Sequence, residues 1–213
     1  MSSNEVQTCA ILGASGHGKV IAEMAELCGY EEIYFFDDRW PALQGIEHWS
    51  VFGDTASLFE SCLKFTNVVI AIGNNTIRIE KQRLLQSAGA NFSPLCHPKS
   101  HISSYAKIGA GSVVMANAVI NPFAYVGNGC IINTSAVIEH DCSIEDGAHV
   151  SPGAMLAGGV CVGETSWVGI GAQVKQLVKI GSRCVVGAGA TVVNDISDGL
   201  TVVGTPAKPI VQG

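Results

Sequence analysis

From Ile102 onward an aliphatic residue returns every six positions: Ile102, Ile108, Val114, Ile120, Val126, Ile132, Ile138, Ile144, Val150, Leu156, Val162, Val168, Val174, Ile180, Val186 and Val192. A smaller residue follows most of them by four, as at Ala106, Ser112, Ala118, Cys130, Ala136 and Cys142, and glycine often sits directly after the aliphatic position, as at Gly109, Gly127, Gly163 and Gly181. This period fits neither the turn of an α-helix nor the alternation of a strand. A short fixed repeat predicts a solenoid, in which no hexad can bury its apolar residue alone and stacked coils bury a continuous column. A half-buried β-sandwich would instead show two-residue alternation broken by irregular turns. The register is unbroken from Ile102 to Val192, so the solenoid has no room for an extruded loop.

Ahead of the repeat the pattern changes. A continuous apolar run from Val6 to Ala14 predicts a buried strand. Apolar residues at Val20, Ile21, Met24, Ala25 and Cys28 then mark a helix face, closed by Gly29. Strands are expected at Glu32–Phe36, Val68–Ile72 and Phe92–Cys96, and helices at Thr55–Leu63 and Ile77–Ala88. Alternation of strands with helices predicts a small parallel, Rossmann-like α/β sheet. The expected organisation is therefore an α/β domain over residues 1–96 and an all-β solenoid with a C-terminal tail over residues 97–213.

Composition narrows the function. The net charge of −6 comes without a basic run, which argues against nucleic acid as a partner. The eight cysteines form no C-x-x-C, and several fall in the small-residue slot of the hexad, the usage expected of a reducing compartment. Met1 to Gln7 is polar and no apolar run reaches membrane-spanning length, so a cytoplasmic protein without a membrane partner is expected.

Candidate chemistry begins at the first strand. Gly13, Ser15, Gly16, His17, Gly18 and Lys19 join that strand to the first helix, a geometry in which backbone N–H groups and the helix dipole face an anion. The loop is neither a Walker A motif nor G-x-G-x-x-G. Asp37 and Asp38 end the second strand, and Gly73 and Asn74 end the third. Ligands of open parallel sheets bind beyond the strand C-termini, so the three loops together predict a nucleotide site.

The whole chain resembles the sialic-acid O-acetyltransferase branch of left-handed β-helix (hexapeptide-repeat) acyltransferases, above all the bacillosamine-type UDP-4-amino-sugar N-acetyltransferases. The resemblance is carried by Ile11 to Lys19, Ala71 to Asn74, Asn133 to Asp141, His149 to Ser151 and Val203 to Lys208. It implies that three hexads form one left-handed coil of about 18 residues, stacked roughly 4.8 Å apart. It implies an acetyl-CoA-dependent transfer to the 4-amino group of a UDP-linked sugar, in a homotrimer whose cofactor lies between subunits, with no metal. His140 is then the general base, Asp141 its orienting carboxylate, and the N–H of Gly158, one coil on, the oxyanion donor. Asn133 falls on a substrate-contact position and His17 on the histidine of the family's glycine loop, while His149, Ile170, Gly171, Lys175, Pro206, Ala207 and Lys208 fall near the cofactor. The base machinery would serve equally for a sugar hydroxyl, as in sialic acid, or for a GDP-linked amino sugar. A zinc hydratase on the same solenoid would need a His-x-x-x-x-His pair, which is absent, and a non-catalytic scaffold would have no use for the His-Asp pair.

Overall fold

The computed structural model describes residues 6–210, so most of the polar opening segment lies outside the described residues. The chain divides into two compact units, Met1–Leu95 and Cys96–Gly213.

The first unit is built on a five-stranded sheet. Its strands are β1 (Thr8–Leu12), β2 (Glu32–Phe36), β3 (Gly45–Ile46), β4 (Trp49–Gly53) and β5 (Asn67–Ile70), in the order β3-β4-β2-β1-β5. The ladders joining β1 to β2, β1 to β5 and β2 to β4 are parallel, and β3 to β4 is antiparallel. The expected run from Val6 to Ala14 shortens to Thr8–Leu12, because the backbone turns at Gly13, whose φ is +117°. The β3–β4 hairpin has no counterpart in the sequence reading. Of β4 only Val51 and Gly53 are buried, too short an alternation to stand out. Helix α1 (Gly16–Leu27) buries Ile21, Ala22, Met24 and Ala25, and Gly18 lets it lie close on the sheet, since a Cβ there would stand 2.2 Å from the Gly13 carbonyl oxygen. Helix α2 (Thr55–Ser61) is capped by Asp54, whose Oδ1 accepts the Ser57 N–H, and α3 (Asn75–Ser87) by Asn74, which accepts from Ile77.

In the second unit every repeating aliphatic residue is the second member of a two-residue strand, from His101–Ile102 to Thr191–Val192. Residues eighteen apart pair in parallel, as Val119 with Val137 and Ile120 with Ile138. The unit is a left-handed parallel β-helix with three faces. The first face stacks the strands from His101–Ile102 to Thr191–Val192, the second those from Lys107–Ile108 to Lys179–Ile180, and the third those from Leu95–Cys96 to Lys208–Pro209. Two-residue strands carry almost no twist, so the preference that makes long parallel crossovers right-handed has little to act on.

The aliphatic and small residues of the hexads fill the interior, nearly all fully buried. A glycine after the aliphatic residue sits where coils approach closely: a Cβ on Gly109 would lie 2.4 Å from the Gly127 carbonyl oxygen. Three positions after the aliphatic residue the chain turns through left-handed φ, as at Gly129, Asp141 and Gly159. The last coil is two residues shorter. Ile180 bridges to Ile196 and Val186 pairs with Val202. An antiparallel pair, Thr201–Val203 with Lys208–Pro209, then ends the third face.

Candidate active site

The three faces meet at three edges, and each edge carries one residue per coil two positions after the aliphatic residue. Its N–H points away from the ladder. On the edge between the second and third faces the protein caps these groups itself. Asn128 Oδ1 accepts from Ala110 at 2.9 Å, Asp146 Oδ1 from Asn128 at 2.7 Å, Glu145 Oε2 from Glu164 at 3.2 Å and Asp198 Oδ1 from Ser182 at 2.9 Å.

The edge between the first and second faces is different. It carries Pro122, His140, Gly158 and Gln176, and among the described residues no acceptor takes the N–H of His140, Gly158 or Gln176. The His140 ring is exposed, and its Nδ1 lies 2.7 Å from Asp141 Oδ2. The left-handed φ of +60° at Asp141 turns its backbone at the corner beside the imidazole, and the short aspartate reaches the ring. That contact leaves Nε2 as the proton-accepting nitrogen when the ring is neutral. The ring leans one coil onward over Gly158. A Cβ on Gly158 would come within 2.6 Å of His140 Cε1 and 2.7 Å of Nε2, so only glycine leaves room for the ring there. Asn121, one coil back, donates to Glu139 Oε2 at 2.9 Å.

His149 lies on the third face, the side of the prism opposite this edge. It is buried, its Nε2 is 3.0 Å from Asn133 Nδ2, and its ring stacks on Trp167 with centroids 5.0 Å apart. Trp167 Nε1 donates to Ser151 at 2.6 Å. His149, Ser151 and Trp167 wall a groove of about 430 Å³ with Pro152, Ile170 and Ala188, and the N–H groups of Ile170 and Ala188 have no acceptor among the described residues. Gly171 follows Ile170 on the same edge, and Pro206, Ala207 and Lys208 close the same face, with Ala207 N–H donating to Thr191. Lys175 instead stands beside Gln176 on the edge of His140. The structure therefore brings Asn133, His149 and Ile170 together and His140, Asp141 and Gly158 together, but sets the two groups on different sides of one chain. His140 and His149 cannot share a metal ion within that chain, and among the described residues no three His, Cys, Asp or Glu side chains are grouped to hold one.

In the first unit Asp37 braces the glycine loop. It accepts from Ala14 N–H at 2.8 Å and from Arg39 Nε at 2.7 Å, and Arg39 also reaches the Ala14 carbonyl. The Arg39 guanidinium and the backbone donors hold the Asp37 carboxyl down at about 2. Asp38 accepts from Thr55 N–H, Lys19 pairs with Glu47 at 2.8 Å, and Asn74 caps α3. Gly16 and Gly73 face open space, and Ser15 is the N-terminal cap position of α1, with no side-chain cap bond. His17 is half-buried, its enclosed Nε2 has no partner among the described residues, and desolvation together with the nearby Arg78 lowers its pKa to about 4. Arg78, itself buried, donates to the carbonyls of Ile72 and Gly73 and to Asn75.

The sequence reading missed Trp167 and Arg78. Trp167 precedes a hexad aliphatic, a position whose side chain faces outward, and only its pairing with His149 across the ladder gives it a role. Arg78 has the helical neighbours of a solvated residue, and only its burial sets it apart.

Residues 8–85 match the PglD N-terminal domain family, and residues 105–140 and 123–158 match the bacterial transferase hexapeptide (six repeats) family. Over 114 residues the chain is 38% identical to UDP-N-acetylbacillosamine N-acetyltransferase of Bacillus subtilis (strain 168); the match spans 52% of this chain and 52% of that protein, about half the length of the curated relative. It is similar to the solved acetyltransferase domain of PglB from Neisseria gonorrhoeae FA1090 in complex with acetyl coenzyme A, at 40% identity and a TM-score of 0.93, covering 97% of this chain and 100% of that one. It is likewise similar to a mutant of perosamine N-acetyltransferase from Caulobacter crescentus in complex with CoA and GDP-perosamine, at 33% identity and a TM-score of 0.93, covering 99% of this chain and 100% of that one.

Proposed function

Because the chain belongs to the bacillosamine-type sugar N-acetyltransferase family of hexapeptide-repeat acyltransferases, we propose that it moves the acetyl group of acetyl-CoA to the 4-amino group of a UDP-linked amino-deoxy sugar. The observation that carries this reading is the His140 ring, tied to Asp141 through Nδ1 and packed against Gly158, whose N–H has no acceptor among the described residues. The amine nitrogen attacks the thioester carbon, and His140 Nε2 takes the proton that the nitrogen sheds. The carbonyl oxygen, now an oxyanion, accepts from Gly158 N–H. Collapse of the intermediate breaks the C–S bond, and the imidazolium returns its proton to the departing thiolate. Asp141 holds the ring tautomer and stabilises its positive charge.

The groove beside His149 suits the thioester cofactor. Its wall is apolar and aromatic, and the N–H groups at Ile170 and Ala188 can meet amide carbonyls of an extended chain. It faces away from His140 within one chain, so a complete site takes the edge of one copy and the groove of the next. A homotrimer with a three-fold axis parallel to the solenoids meets that need three times over. The first unit supplies the nucleotide site, with the glycine loop braced by Asp37, and His17 in that loop keeps an enclosed, unpartnered Nε2. Both co-substrates are metabolites of the cytoplasm, where we place the protein.

The test is thiol release from acetyl-CoA against a panel of UDP- and GDP-linked amino sugars, with product mass to fix N- against O-acetylation. Activity with the UDP-linked 4-amino sugar alone supports the reading in full. Activity only with GDP-linked acceptors corrects the nucleotide, and activity with no amino sugar overturns it. Sedimentation at micromolar protein should give a trimer, and a fully active monomer would refute the shared site.

A further inference from the structure

Two aromatic rings stand on the base's own edge. Phe123 occupies the turn position of Asp141 one coil earlier, and Tyr105 the same position one coil before that. Their rings stack with centroids 5.4 Å and planes 28° apart, yet Tyr105 is 66% and Phe123 64% exposed. Phe123 also has a φ of +63°, at a turn position shared between glycine, as at Gly111, Gly129 and Gly147, and other side chains, as at Asn117, Asp141 and Leu177. A side chain in that backbone region carries strain of about 1–2 kcal/mol, and a solvated ring gains little in return. Strain and exposed apolar surface together at one residue point to a role outside folding.

Position along the solenoid axis says what the rings meet. The groove assigned to the thioester cofactor spans the coils of His149, Trp167 and Val185. His140 lies nine residues, half a coil, before His149. Phe123 and Tyr105 lie one and two coils further back. The donor therefore lies on one side of the base and the rings on the other, in steps of about 4.8 Å. In an assembly with parallel solenoids those levels are shared between copies. The acceptor has to approach from the side that the donor leaves open.

We propose that Phe123, backed by Tyr105, is the platform on which the pyranose ring of the acceptor lays its apolar C–H face while its amine reaches His140. This rests on the functional reading above. It makes Phe123 a determinant of acceptor affinity that takes no part in the proton transfer.

Steady-state kinetics of Phe123→Ala, Phe123→Tyr and Tyr105→Ala, with the amino-sugar nucleotide that the wild type uses, test the proposal. Loss of one stacking contact should raise the acceptor KM about three- to tenfold in Phe123→Ala. The KM for acetyl-CoA should stay within about twofold, Phe123→Tyr should restore the acceptor KM, and Tyr105→Ala should have the smaller effect. Sedimentation of Phe123→Ala should match the wild type. An unchanged acceptor KM, or a variant that falls to a smaller assembly, overturns the platform, the second result marking the rings as contact between copies. A wild type that acetylates no amino sugar overturns the functional reading and the platform with it, whereas activity with an unchanged KM in Phe123→Ala overturns the platform alone.

Discussion

Two edges of the same solenoid are built from the same hexad and differ in what they do with one backbone group. Along the edge of Ala110, Asn128, Glu164 and Ser182 the outward N–H is capped by a side chain of the protein. Along the edge of His140, Gly158 and Gln176 it is left for something else. An exposed unpaired N–H costs little, because water satisfies it, so the second edge gives up only modest stability. It gains a column of donors in fixed positions. Stability and chemistry are thus assigned to different corners of one prism, and substitutions at the two corners should separate cleanly.

The largest separation is expected at the base. His140→Ala should lower kcat by about 10²–10⁴-fold with far smaller changes in KM. The exposed ring contributes little to folding, so the melting temperature should barely move. A variant within about threefold of wild type, well short of a general base's effect, would remove His140 from the mechanism. Next comes Gly158→Ala, which adds a methyl where the imidazole lies and should displace the base by about the ångström that costs on the order of 10²-fold in rate. The φ of Gly158 is not left-handed, so folding should be unaffected. Wild-type turnover in this variant would mean that the ring does not work from the position seen.

The capped edge should respond in the opposite sense. Asp146→Ala uncaps Asn128 and should cost about 1 kcal/mol of stability, read as a lower urea midpoint, with kcat and both KM values within about twofold. A loss of turnover at full stability would dissolve the contrast between edges.

The smallest effect extends the contrast to the first unit, where Asp37 is satisfied by the protein and His17 keeps an enclosed, unpartnered nitrogen. His17 titrates near 4 in the fold against an ordinary value of 6.5. Between those values the unfolded chain binds the proton and the folded one does not. Its contribution to stability is therefore complete above pH 6.5 and is lost as pH falls toward 4. His17→Gln should flatten the fall in urea midpoint across that window, and an unchanged slope would show that the ring is not held neutral.

Much of this was legible in the sequence, for reasons that differ by region. Each hexad aliphatic from Ile102 to Val192 sits on a rung because a six-residue period admits one arrangement with every apolar residue inside. In the first unit, where helix and strand periods compete over short windows, Glu32–Phe36 was found to the residue, whereas the strand Val68–Ile72 shifted to Asn67–Ile70 and the β3–β4 hairpin escaped. His140 and Gly158 could be placed together because eighteen residues make one coil. The nine residues between His140 and His149 are half such a coil and set them on opposite sides, as the faces their strands join show. Phe123 escaped for another reason: its strain is a matter of φ, which composition does not record.

The antiparallel end of the third face has a consequence beyond this chain. A stack of identical parallel rungs is an open template, and the first coil of another molecule could continue it into a fibre. Here the outermost strand of that face runs the opposite way. It also places Pro209, which has no N–H to offer, and the exposed Lys208 at the boundary. An incoming parallel rung meets the wrong direction, a missing donor and a charge. On that face the repeat is thereby closed to a further parallel rung.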